Sequence, residues 1–237
     1  PGEKVRIKHR VSKEDLKEDK FQEFVEKAAE FYYENPRRFW IGVAVGILVI
    51  AGVILLIQNR PKPVRSAEAE LRLMDALSNL YQGKYDYAEM ALKELAAKFP
   101  RDYAGIKAHF YLGTLYFGSQ EPRLAEAKRE FGIFLKKAKN DLLLTPAAQY
   151  GIAACEEQAG NYLQAARLYE SVYRKYKELP LAHEAVLAAG RCFRLANKLD
   201  EAEKLYSDYL EKDKPAAMKA EDVRVQLGYI RALKNRL

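Results

Sequence analysis

The sequence predicts an all-α protein: an N-terminal amphipathic helix, a single transmembrane helix, then an α-solenoid of about four helix pairs with a C-terminal capping helix. Three observations carry this. Residues 39–57 hold no charge, no Asn, no Gln and no Pro. From residue 66 onward an alanine-centred pattern returns at intervals of 39, 38 and 37 residues. No stretch alternates with the period of two that a half-buried strand requires. The expected organisation is a tail over 1–38, a span over 39–57, a linker over 58–65 and a solenoid over 66–237.

The tail begins with Lys4, Arg6, Lys8, His9 and Arg10, a polar and basic stretch suited to disorder or to contact with anionic lipid or RNA at the membrane surface. Ser12 and Asp15 make a start signal like a capping box. Phe21, Phe24, Val25, Ala28 and Tyr32 then recur at helical spacing among Lys and Glu, which predicts an amphipathic helix to about Glu34. Asn35-Pro36 ends it, because the residue before a proline avoids helical geometry. That helix is too short and too charged to span a bilayer, so it suits an interface or a partner.

Nineteen residues of helix reach about 28 Å, close to the hydrocarbon thickness of a bilayer. In water the run 39–57 would need burial on every side, and nothing else in the chain is apolar enough to surround it. In lipid it needs only its own backbone hydrogen bonds. Arg37 and Arg38 border it on one side, Arg60 and Lys62 on the other, and Phe39 and Trp40 fall at the level of an interfacial aromatic belt. The run starts late, is long for a cleavable signal, and is followed by Gln58-Asn59-Arg60, so it reads as an uncleaved signal anchor. The numbering opens on Pro1, which fits an initiator methionine that is removed or lies outside the sequence. Gly42 and Gly46 stand four apart, a spacing that lets a second helix approach closely. Flanking charges are nearly balanced. The basic residues of the first twenty positions favour a cytoplasmic tail and a solenoid on the far side of the membrane.

Pro61-Lys62-Pro63 gives a stiff exit from the span. Beyond it, residues 66–237 carry 27 basic and 24 acidic side chains of the chain's 40 and 33. That balance argues against nucleic acid as a partner. The basic excess lies near the span, where it can meet anionic headgroups.

Ala88, Ala127, Ala165 and Ala202 mark the repeat. Three residues before each stands Tyr85, Leu124, Tyr162 or Leu199; four after stands Leu92, Phe131, Tyr169 or Tyr206. Such self-similarity predicts stacked hairpins of two antiparallel helices. Gly83, Gly160 and Asn197 can take the left-handed conformation that stops the first helix of a pair. The alanine permits close approach of the two helices, and the larger residue one turn later fills the space between units. Pro100, Pro180 and Pro215 close the first, third and fourth units.

This pattern resembles the tetratricopeptide repeat. Leu112-Gly113 with Tyr116 matches its first-helix motif, Gly190 and Ala202 stand twelve apart like its small pair, and Ala88 and Pro100 repeat that interval. The second unit departs by about two extra residues around Ser119 to Pro122, and the first-helix Trp is missing. Residues 216–235, with Leu227-Gly228-Tyr229, look like an unpaired first helix that caps the stack. The resemblance implies a binding surface lined by the first helix of each unit. It places Phe110, Phe117, Tyr150 and Glu157 there, together with Leu187, Arg191, Arg194 and Tyr229. Packing is the expectation for Tyr85, Tyr116, Tyr162, Tyr169 and Tyr206.

The order of parts, with Glu34-Asn35-Pro36-Arg37-Arg38 before a Gly-containing span, is similar to the YfgM-like family, ancillary subunits of the bacterial Sec translocon. That resemblance implies an inner-membrane protein with periplasmic repeats, translocon subunits and a membrane-anchored chaperone as partners, and no cofactor. A structural accessory subunit of another inner-membrane complex fits the same order of parts. Nothing in the sequence points to catalysis: there is no phosphate loop, no nucleophile elbow and no His-Glu-x-x-His. His9, His109 and His183 stand singly, and Cys155 and Cys192 read as small packed thiols beyond disulfide reach of one another.

Overall fold

The computed structural model describes residues 32–58, 65–138 and 141–235. The basic tail, most of the expected amphipathic helix, and Arg60, Pro61, Lys62 and Pro63 lie outside the described residues. The chain divides into two compact units, residues 1–62 and 63–237. Every regular element among the described residues is helical.

In the first unit, residues 32–34 are helical and the helix breaks at Asn35. Helix α1, Pro36–Gln58, starts at once with proline as its first residue. The proline ring pre-sets the helical φ there, and its missing N–H is one the first turn leaves unpaired anyway. The Asn35 carbonyl accepts from the Phe39 N–H at 3.0 Å. Arg37 and Arg38 are therefore part of this helix, where the sequence placed them in the tail. Tyr32 lies against Phe39 with ring centroids 5.3 Å apart, and Phe39 against Trp40 at 5.8 Å. An aromatic cluster thus sits at the head of α1. None of the window 36–55 is buried.

The second unit holds nine α-helices among the described residues. They form four hairpins: α2 (Ala67–Tyr81) with α3 (Tyr85–Lys98), α4 (Tyr103–Phe117) with α5 (Leu124–Lys137), α6 (Leu144–Gln158) with α7 (Tyr162–Lys175), and α8 (Leu181–Leu195) with α9 (Leu199–Asp208). A π turn, Tyr209–Asp213, extends α9, and α10 (Ala217–Lys234) closes the stack against α9 and α8. Each first helix after α2 also touches the second helix of the hairpin before it, and successive first helices touch one another.

Local chemistry sets these boundaries. The Ser66 side chain caps α2 by accepting from the Ala69 N–H at 3.2 Å. Asp102 caps α4 through the Ala104 N–H at 2.8 Å, and its other oxygen accepts from the Ser66 N–H at 2.7 Å, pinning the entry of the stack. Gly83, Gly160 and Asn197 have φ of 75°, 80° and 57° at the turns where left-handed residues are needed. Ala88, Ala127, Ala165 and Ala202 are fully buried. The Phe131 ring fills the space a side chain would take at Gly113 of its own hairpin and at Gly151 of the next.

The buried side chains form two clusters. One runs from Ala69 to Ala138 and takes Ala148 and Cys155 from α6. The other takes Ala153 from that same helix and runs to Ile230. Tyr116, Tyr169 and Tyr206 are packed in these cores. Tyr85 is a correction to the sequence reading: it is exposed. Its counterparts Leu124 and Leu199 lean on the buried cores, and Tyr162 is half-buried; among the described residues no hairpin precedes α3's own unit.

Candidate functional site

The first helices α4, α6, α8 and α10 carry the residues that the repeat register assigns to a binding wall. The structure gathers them in two groups and separates a third. On α6, Tyr150 packs against Tyr169 of α7, with ring centroids 4.8 Å apart and the planes inclined by 59°. The Tyr169 hydroxyl donates to Glu157 at 2.9 Å, and Arg191 of α8 reaches Glu157 through Nε at 2.8 Å and Nη2 at 3.0 Å. Burial works against a charge on Glu157, but the guanidinium and the tyrosine hydroxyl outweigh it and hold the carboxyl below its ordinary range. The same bond raises the Arg191 pKa. Arg191 is thereby committed to a neighbouring helix of its own stack, as Lys107 of α4 is to Glu70 of α2 at 2.7 Å.

The second group joins α8 to α10. The Arg194 guanidinium lies over the face of Tyr229, 5.4 Å from the ring centroid. Tyr229 is half exposed, and Arg194 forms no ion pair among the described residues. This pair combines a cation without a carboxylate partner and an accessible ring, both suited to a protein contact. Leu187 is half-buried nearby on α8, and its carbonyl accepts from the Tyr206 hydroxyl at 3.2 Å.

Phe110 and Phe117 stand apart from both groups. Phe110 packs on Phe131 and Phe134 at 5.8 and 5.6 Å, and both Phe110 and Phe117 lean on the first core. Gly42 and Gly46 of α1 are open: a Cβ at either would meet nothing within 4 Å.

The sequence reading missed an exposed apolar face on the first hairpin. Leu71, Met74, Tyr87 and Met90 are each at least 60% exposed. The signal was present in the repeat alignment. Two residues after the marker alanine the later hairpins place Arg129, Arg167 and Lys204, and the first places Met90. One residue before it they place Glu126, Gln164 and Glu201, and the first places Tyr87.

Part of the hairpin stack, residues 120–175 and 156–217, is matched by a sequence family described as Tetratricopeptide repeat. The matched stretch, residues 120–217, is similar to tetratricopeptide repeats. A crystal structure of a tetratricopeptide repeat protein from Parabacteroides merdae has the same fold, with a TM-score of 0.57 at 18% identity. The match covers 72% of this chain and 62% of that one, so the chain spans less than two thirds of its neighbour's length. No curated protein matches at a significant level. Tetratricopeptide repeats generally bind protein partners.

Proposed function

We propose that this protein is a membrane-anchored scaffold that holds a protein partner on the first helices of its tetratricopeptide repeats. The observation that carries the reading is the pairing of Arg194 with Tyr229 at one end of those helices, a cation and a half-exposed ring left over after Glu157 has taken Arg191. The uncovered apolar length of α1, headed by Phe39 and Trp40, supports a single span bordered by Arg37 and Arg38. On the resemblance to YfgM-like subunits, the partner is a component of the Sec translocon or a membrane-anchored chaperone, with the repeats on the periplasmic side of a bacterial inner membrane.

Purification of the full chain in a gentle detergent tests this. Translocon and chaperone subunits should co-purify, and Arg194→Glu or Tyr229→Ala should release them. If removal of residues 66–237 leaves the co-purifying set unchanged, the repeats are not the contact. Protease accessibility in sealed vesicles decides the side. The open Gly42 and Gly46 favour a second reading, an accessory subunit that packs its span against another helix of a membrane complex. Leucines at both glycines would then release partners that Arg194→Glu retains.

A further inference from the structure

Two grooves run into each other along the outer stripe of α7. The first, about 650 Å³, lies at the start of the helix beside the turn that precedes α9. Tyr162, Leu163, Leu168 and Ala196 make it mostly apolar, and Arg167 borders it. The second, about 450 Å³, continues past Ser171 to Arg174 and Lys175, and Arg167 belongs to it too. Its lining holds three cations and one carboxylate, Glu170. Arg174 donates to that carboxylate through Nε at 2.9 Å. Arg167 and Lys175 are exposed and form no ion pair among the described residues. The stripe therefore passes from apolar to positively charged along one helix.

We infer that this groove is a second docking site, which takes an extended acidic peptide segment with an apolar anchor. Eleven residues separate Leu163 from Arg174, about 17 Å of helix. An extended chain covers that length in about five residues. An apolar side chain seated between Leu163, Leu168 and Ala196 thus brings carboxylates five residues away over Arg174 and Lys175, with Arg167 between them. The uncompensated positive charge selects an acidic segment and speeds its approach. A flat anionic bilayer would meet the cations but leave the apolar cleft unfilled; a peptide fills both. The site lies on a second helix, so it stands or falls independently of the first-helix wall.

The test uses the full chain in nanodiscs of neutral lipid and two fluorescein-labelled peptides, Leu-Phe-Ser-Gly-Ser-Glu-Glu and its counterpart ending in Lys-Lys. Fluorescence anisotropy should show the acidic peptide bound at least tenfold more tightly than the basic one, and its affinity should fall as salt rises. Arg167→Glu should weaken that binding at least tenfold. Ser171→Trp, which fills the groove without changing its charge, should do the same. Arg194→Glu should leave it unchanged, which separates this site from the first-helix wall. Equal affinity for the two peptides, no binding of either, or insensitivity to both groove variants would overturn the proposal. So would Arg167-dependent binding of phosphatidylglycerol vesicles in place of the peptide, which would assign the groove to headgroups.

Discussion

At the scale of single residues, two kinds of small side chain have different physical duties. A Cβ at Gly105 would lie 2.0 Å from the Phe99 carbonyl oxygen, a backbone atom that cannot swing aside. Gly105→Ala should therefore destabilise the fold by about 2 kcal/mol or more, as overpacking does, and lower the thermal midpoint. Gly132 lies inside α5 with nothing within 4 Å of its missing Cβ, so Gly132→Ala should stabilise by about 0.5–1 kcal/mol in the same measurement. The left-handed Gly83, Gly160 and Asn197 were legible in the sequence because turn chemistry is local. Gly105 was not, because its neighbour belongs to the end of a different helix. The two cysteines follow the reading as packed thiols. Burial pushes Cys155 up to about 11 and Cys192 up to about 12. Neither should react with a thiol reagent at pH 8 until denaturant is added, as a spectrophotometric thiol titration would record.

At the scale of elements, the hairpins are tied by charge at their edges. Glu89 of α3 accepts from Arg123, just before α5, and from the Tyr116 hydroxyl of α4 at 3.1 Å. The Arg123 guanidinium, helped by Lys93 and Tyr116 against the opposing effect of burial, lowers the Glu89 carboxyl to about 2. A carboxylate whose pKa is depressed on folding stabilises the fold above its ordinary pKa and loses that contribution as pH falls. The denaturation midpoint should thus drop between about pH 4.5 and pH 2, and Arg123→Gln should flatten that part of the profile. His183 provides a second tie. Its Nδ1 lies 3.1 Å from the Tyr209 hydroxyl and its Nε2 3.4 Å from Asp222, joining α8 to the π turn and α10. The helices themselves were readable from the spacing of the marker alanines. These ties were not, since Glu89 pairs with a residue 34 positions away and no period encodes it. The same holds for the wall: the register named Glu157 and Arg191 separately, and only the structure shows that they neutralise each other.

At the scale of the whole molecule, the chain joins an apolar rod that buries none of its length to a stack with its own core. The full chain should partition into detergent micelles, whereas residues 66–237 should stay in the aqueous phase; phase separation in a clouding detergent reads this directly. Residues 66–237 should also keep their helical circular dichroism, because both clusters of buried side chains lie within them. One feature of those clusters governs how the stack comes apart. Helix α6 lends Ala148 and Cys155 to one and Ala153 to the other. Loosening either flank strips support from the same rod, so failure on one side spreads across it. A protease that breaches one half thereby gains access to the other.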